Sequence, residues 1–278
     1  MDSKFAMFSL MNKTVIITGG AGLLGKQHAR AVIEAGGIPV ILDISDVALD
    51  KVKDELLDEY EASRIETFNV DITDKHSLIR VRNELLSHGN NIYGLINNAA
   101  NNPKMEAPTN NMKAIQFENY PIDIWVQDIS VGLTGAMICS QVFGEVMAEQ
   151  NSGVILNISS DLGIIAPDQR IYRKEGLREE EQSIKPVTYS VIKHGLIGLT
   201  KYLATYYANK GVRVNALCPA GVYNGQDKEF VDKLVNLIPM GRMANKDEYI
   251  GTVIYMLSDA SRYMTGSTII VDGGRTCW

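Results

Sequence analysis

Val15-Ile16-Ile17-Thr18-Gly19-Gly20-Ala21-Gly22-Leu23-Leu24-Gly25 runs from a β-branched apolar segment into a glycine-rich turn, and a helical pattern through His28, Val32 and Ala35 follows it. The order is strand, turn, helix. Gly20, Gly22 and Gly25 match G-x-G-x-x-G, whose glycines permit a tight turn, close backbone approach to a pyrophosphate and close helix-to-sheet packing. The N–H groups and dipole of the following helix N-terminus face the same phosphates. Asp43 closes the next apolar run, Ile38-Pro39-Val40-Ile41-Leu42. A carboxylate there can accept hydrogen bonds from adenosine ribose hydroxyls and would repel a 2′-phosphate, which favours NAD over NADP. The competing reading is a glycine turn between packed elements, with Asp43 as a helix N-terminal residue.

Further along, Tyr189-Ser190-Val191-Ile192-Lys193 places a phenol and an ammonium on one helix face. A free phenol titrates near ~10, and a nearby cation favours the phenolate, so the pair is a candidate acid-base device whose Tyr189 pKa is expected to be depressed. Alone it is equally a surface phenol beside a solvated lysine; the glycine turn in the same chain is what gives it weight.

Seven short runs alternate with longer helical patterns: Thr14 to Thr18, Pro39 to Asp43, Ile65 to Val70, Ile92 to Asn97, Val154 to Ser159, Val212 to Leu217 and Thr268 to Val271. Such interleaving predicts an α/β fold, a mainly parallel seven-stranded sheet with helices on both faces. Ser45 is expected to cap a helix over Asp46 to Ala62, Thr73 one over Asp74 to Ser87, and Gly89 to follow the latter's end. The alternation has no linker or repeat, so residues 1–278 read as one domain. Two stretches interrupt it: Asn101 to Pro121, rich in proline and asparagine, and Ile164 to Pro186, rich in charge, including Arg170, Arg173, Arg178 and Lys185. Long irregular segments in a compact domain are binding loops, lids or disordered insertions.

Of the 278 residues, 45% are hydrophobic and 22% charged, with a formal charge of −6; this is a globular composition whose sign argues against nucleic acid or an anionic membrane as partner. No apolar leader follows Met1, and no stretch reaches ~18 uncharged apolar residues, so a cytoplasmic protein is expected. Cys139, Cys218 and Cys277 are too scattered for a disulfide framework, and with the four histidines they show no ligand spacing, so no metal is expected.

Together these residues resemble the short-chain dehydrogenase/reductase family in its single-domain branch. Asn97-Asn98-Ala99-Ala100, Asn157-Ile158-Ser159-Ser160, Pro219-Ala220-Gly221-Val222, Thr265-Gly266 and Val271-Asp272-Gly273-Gly274 resemble its further motifs, in order, nearly end to end. The resemblance implies a Rossmann-type doubly wound sheet and hydride transfer between nicotinamide and a secondary alcohol or ketone. Ser160, Tyr189 and Lys193 would be catalytic, with Ser159 serving the strand end. Cofactor contacts would come from Gly19, Gly22, Leu24, Gly25, Asp43, Asp71, Ile72, Asn98, Ala99, Tyr189, Lys193, Gly221 and Val222. Against these, Asp71 reads equally as a strand-end turn residue and Asn98 as a sheet-end hydrogen-bonder. A homodimer or homotetramer is implied, built on helices containing Gly132 to Ala148 and Tyr189 to Ala208.

Three departures stand out. Gly22 falls one place earlier than the family's usual middle glycine, a spacing resembling the branch of sugar-nucleotide epimerases and dehydratases; the chain leaves no room for that branch's substrate domain. Gly132 stands where an asparagine usually supports a water chain to the lysine. The Ser160-to-Tyr189 separation is longer than usual because of the Ile164 to Pro186 insertion. Its arginines and lysines could grip a phosphate, carboxylate or polyhydroxy substrate, a sugar derivative being preferred, whereas its near-balancing glutamates suit a solvated loop. Besides the dehydrogenase reading, an epimerase or dehydratase with recycled NAD and a non-catalytic NAD-binding sensor use the same fold.

Overall fold

A computed structural model describes residues 3–61, 64–101 and 116–278; most of the segment 101–121 singled out above lies outside the described residues. The strands are β1 (Thr14–Thr18), β2 (Ile38–Asp43), β3 (Glu66–Asn69), β4 (Ile92–Asn97), β5 (Gly153–Ile158), β6 (Val212–Pro219) and β7 (Thr268–Val271). They form one sheet in the order β3-β2-β1-β4-β5-β6-β7. Every pairing within it is parallel. β1, β4 and β5 are buried along their whole length, which is why they read as continuous apolar runs rather than alternating ones.

One face is covered by α1 (Leu23–Glu34), α2 (Asp46–Glu59) and α8 (Ile250–Leu257), whose Ala29, Val32, Leu56, Val253 and Met256 join Val15 and Ile17 in one core. The other is covered by α3 (Lys75–Ser87), α5 (Gly135–Glu149) and α6 (Val187–Tyr206), through Leu78, Leu85, Phe143, Met147 and Leu203 against Ile16, Leu95 and Ile155. The chain reverses direction across the sheet between β1 and β4, so a crevice opens at their carboxyl ends.

Helix starts follow the capping chemistry, with one correction. Ser45 accepts from the Ala48 N–H as expected. Asp74, not Thr73, caps α3: its carboxylate accepts from the His76 N–H, while Thr73 donates both its N–H and its hydroxyl to Asp71, each at 2.8 Å. Asp71 is thus the turn-former its alternative reading foresaw, and a carboxylate beats a hydroxyl for the orphan N–H groups.

The helix expected from Gly132 begins earlier, with α4 (Ile122–Ile129), and passes through a wide π turn (Ser130–Thr134) into α5. It is long and apolar enough to cross a membrane by length and composition, but half of that window is buried inside the fold. Within it Asp128 accepts from Thr188 Oγ1 (2.6 Å) and Tyr120 OH (3.2 Å), tying α4 to the start of α6.

His28 on α1 is 1% exposed, and the pull of the Asn98 side chain towards the charged ring is weaker than the effect of burial. Burial lowers its pKa from 6.5 to about 4. The unfolded chain therefore binds this proton more readily than the folded one, so the contribution is intact above pH 6.5 and is lost as pH falls towards 4. The linked loss is about 3 kcal/mol. Unfolding midpoints measured across that window should fall with acid, and His28→Gln should show a shallower fall; parallel curves would exclude His28 as the cause.

Candidate active site

A cavity of about 720 Å³ opens at the carboxyl ends of β1, β2, β4, β5 and β6, within the size range of small-ligand sites. Gly19, Gly22 and Leu24 line one end together with Asp43, Asp71, Ile72, Asn98 and Ala99. Ser160, Tyr189, Lys193, Gly221 and Val222 line the other. Gly25 is the exception among the residues expected at the cofactor: it does not line the cavity, and a Cβ there would lie 2.3 Å from the Gly19 carbonyl oxygen and 2.5 Å from Gly20 Cα. Its part is to let α1 pack onto the turn.

Gly19 has φ +59°, and a Cβ on it would sit 2.8 Å from Ala99 Cα, so the turn needs glycine there for both conformation and space. Thr18 holds the neighbouring loop: its hydroxyl accepts from the N–H groups of Asn98 and Ala99, both at 3.0 Å. The Asn98 amide in turn donates to the carbonyls of Thr18 and Gly19. Thr18 was not singled out beyond its place in the turn, and both the N–H and the side-chain amide of Asn98 are spent on holding the loop to it. Asp43 stands at the end of β2, accepting from Ala21 N at 3.2 Å and Ile44 N at 2.9 Å.

At the other end the two serines, both on the cavity wall, have different partners. Ser159 Oγ donates to the Lys193 carbonyl, whereas Ser160 Oγ donates to Asp161 Oδ1 (2.7 Å) and accepts from Leu162 N (3.2 Å). Lys193 Nζ donates to the Ile158 carbonyl at 2.8 Å and lies 5.7 Å from the centre of the Tyr189 ring. Burial, then the charge of Lys185, lowers the Lys193 pKa to about 8. The expected depression of the Tyr189 pKa is not found. Burial pushes it up, the Ser160 hydroxyl pulls it down and the Asp161 carboxylate adds to the rise. Desolvation is the largest of these influences, so the phenol holds its proton at neutral pH.

Gly132 packs on α6, where a Cβ would meet Ile192 Cγ2 at 2.8 Å. An asparagine at this position would force Ile192 aside, so the departure from the family pattern is matched by close helix packing.

The insertion after Ser160 is folded against α7 (Lys228–Val235). Ile171 is buried with Leu234, Ile238 and Met243, and Tyr172 meets Phe230 at 5.5 Å between ring centres. Gln182 is buried and ties Lys174 and Leu177 together. Of the two readings of its charges, the arginines follow the balanced loop: Arg170, Arg173 and Arg178 pair with acids of the same segment, Asp168, Glu179 and Glu180 with Glu181, and none lines the cavity. Lys185 does line it, as does Arg275, from beyond β7. Nothing local in the sequence marked Arg275. No group of three or more metal-ligating side chains is found among the described residues.

A seven-stranded doubly wound sheet with a glycine turn at its switch point and a Ser, Tyr and Lys gathered in the adjoining cavity defines a nicotinamide-dependent oxidoreductase. The family model described as enoyl-(acyl carrier protein) reductase matches residues 20–276, and the chain belongs to the short-chain dehydrogenase/reductase family. Among similar proteins, post-translational flagellin modification protein A of Campylobacter coli is 28% identical, covering 95% of this chain and 98% of its own. An NAD-dependent glycerol dehydrogenase of Listeria innocua is 27% identical, covering 97% and 96%. The crystal structure of a short-chain dehydrogenase from Leptospira borgpetersenii with bound NAD+ superimposes with a TM-score of 0.82 at 28% identity, covering 99% of this chain and 97% of that one.

Proposed function

We propose that this chain is an NAD-dependent dehydrogenase that interconverts a secondary alcohol and a ketone in a small polyhydroxylated substrate. The observation that carries the reading is the convergence of Ser160, Tyr189 and Lys193, from β5 and α6, on a cavity continuous with Asp43 and the glycine turn. A bound nicotinamide supplies the hydride acceptor or donor. Tyr189 moves the proton: in reduction its neutral phenol donates to the carbonyl oxygen, and in oxidation it must first lose that proton in order to take the alcohol's. Ser160 hydrogen-bonds the same oxygen, and Lys193 holds the nicotinamide ribose. At the far end Asp43 accepts from the adenosine ribose and repels a 2′-phosphate. The substrate class is supported by the glycerol dehydrogenase relative and by a galactitol 2-dehydrogenase of Rhizobium johnstonii, 26% identical over 98% of both chains. Assembly as a homodimer or homotetramer in the cytoplasm belongs to the same reading; exposed Ile122 and Val126 on α4, and Tyr202 and Tyr206 on α6, support the assembly.

Absorbance of the reduced nicotinamide across a polyol panel tests it. Turnover with NAD should exceed that with NADP, and Asp43→Ala should cut kcat/KM for NAD by about 10- to 100-fold, the worth of a charge-assisted hydrogen bond. Equal use of NADP by the unaltered protein would remove the NAD assignment, and product without net NADH would favour an epimerase.

A further inference from the structure

Lys185 and Arg275 are the two cations of the cavity wall that the chemistry above leaves unused. Lys185 ends the insertion, and its position is built: the Gln169 side chain accepts from its N–H at 2.9 Å and donates to its carbonyl at 3.3 Å. From there its ammonium sits 3.7 Å from the centre of the Tyr189 ring, over the residue that would move the proton. It makes no hydrogen bond and no ion pair among the described residues. Burial lowers its pKa to about 8, and the charge of Asp161 resists the fall.

Arg275 arrives from the opposite direction. Asp272 accepts from Gly274 N and Thr276 N, and with Gly273 and Gly274 at positive φ this turn folds the end of the chain back beneath the cavity. The guanidinium is 4% exposed, and its Nε lies 2.9 Å from Asp161 Oδ2, while no hydrogen bond from any of its N–H groups is found among the described residues. Asp161 is also the acceptor for Ser160 and Leu162. Lys185 and Arg275 therefore share one carboxylate, Asp161, at the substrate end of the cavity, where Lys193 adds a third positive charge to the wall. For Lys185, a sequestered cation without an ion pair is costly, and for Arg275, Asp161 meets the Nε edge of a guanidinium fork whose other N–H groups are shaped for a planar or tetrahedral oxyanion.

We infer that the substrate carries an anionic group, a carboxylate or a phosphate monoester, held between Lys185 and Arg275 with its reacting hydroxyl at Ser160 and Tyr189. This rests on the dehydrogenase reading and narrows it from polyols in general to their acids or phosphates.

Three substrates with one carbon skeleton separate the possibilities: D-glucitol, D-gluconate and D-glucitol 6-phosphate. The purified protein with saturating NAD should show kcat/KM at least about ten-fold higher for one anion than for D-glucitol, and Lys185→Met should shrink that preference by about ten-fold with NAD affinity nearly unchanged. Which anion wins tells carboxylate from phosphate. Because hydride transfer also depends on where the hydroxyl sits, calorimetry of D-gluconate and inorganic phosphate against the NAD-loaded protein gives a reading independent of turnover. Arg275→Lys, which keeps the charge opposite Asp161, guards against a folding defect. Failure of the NAD-loaded protein to bind either anion, or an equal loss on neutral and anionic substrates in Lys185→Met, overturns the proposal. Anion binding that needs Lys185 without any hydride transfer leaves the anion grip standing and overturns the dehydrogenase reading instead.

Discussion

Tyr189→Phe is expected to lower kcat by about 10²- to 10⁴-fold, the usual worth of a positioned general acid-base group, with NAD affinity unchanged. The phenol lies on the cavity wall with its hydroxyl bonded to that of Ser160, and removing one oxygen takes nothing from the apolar packing of α6. Residual activity would come from holding the reacting carbon in place. The pH profile gives a second reading. Burial raises the phenol's pKa, and oxidation needs the deprotonated form, so the unaltered protein should oxidise its substrate faster as pH rises, and the Phe variant should lose that slope. Single-turnover absorbance at several pH values measures both. A Phe variant that keeps rate and slope would place the proton transfer on another group.

Asp161→Asn is expected to destabilise the fold by about 3–5 kcal/mol, because it leaves the Arg275 charge buried without its partner. The two side chains are 7% and 4% exposed, so solvent screens the pair little. The asparagine keeps the shape and one acceptor for Ser160 and Leu162, which confines the change to charge. Denaturant unfolding of Asp161→Asn, Arg275→Met and the double variant checks it: the double should lose much less than the sum, since removing both charges removes the unpaired state. Additive losses, or a loss below about 1 kcal/mol in Asp161→Asn, the range of exposed pairs, would show the pair to be a bystander.

The parts of this protein legible in its residues are those governed by neighbours a few positions apart. β1, the turn and α1 were readable because β-branched residues, closely spaced glycines and helical periodicity act over a handful of residues. Tyr189 and Lys193 were readable because four residues make about one helical turn. Gly25 illustrates the limit: a glycine was required, but its Cβ would meet the Gly19 carbonyl rather than a ligand, which only the packing of α1 reveals. Thr73 read as the cap of α3, and the structure gives that place to Asp74 because Asp71 engages the threonine.

Local pattern thus determined the doubly wound sheet and the acid-base helix from the sequence itself. Only the tertiary structure decided the ionisation of that phenol, which follows the total water excluded around it rather than the nearest cation in the chain. It alone brought Lys185 and Arg275 to one wall, ninety positions apart, since burial and Coulomb energy depend on distance in space and leave no trace in the spacing of residues along the chain.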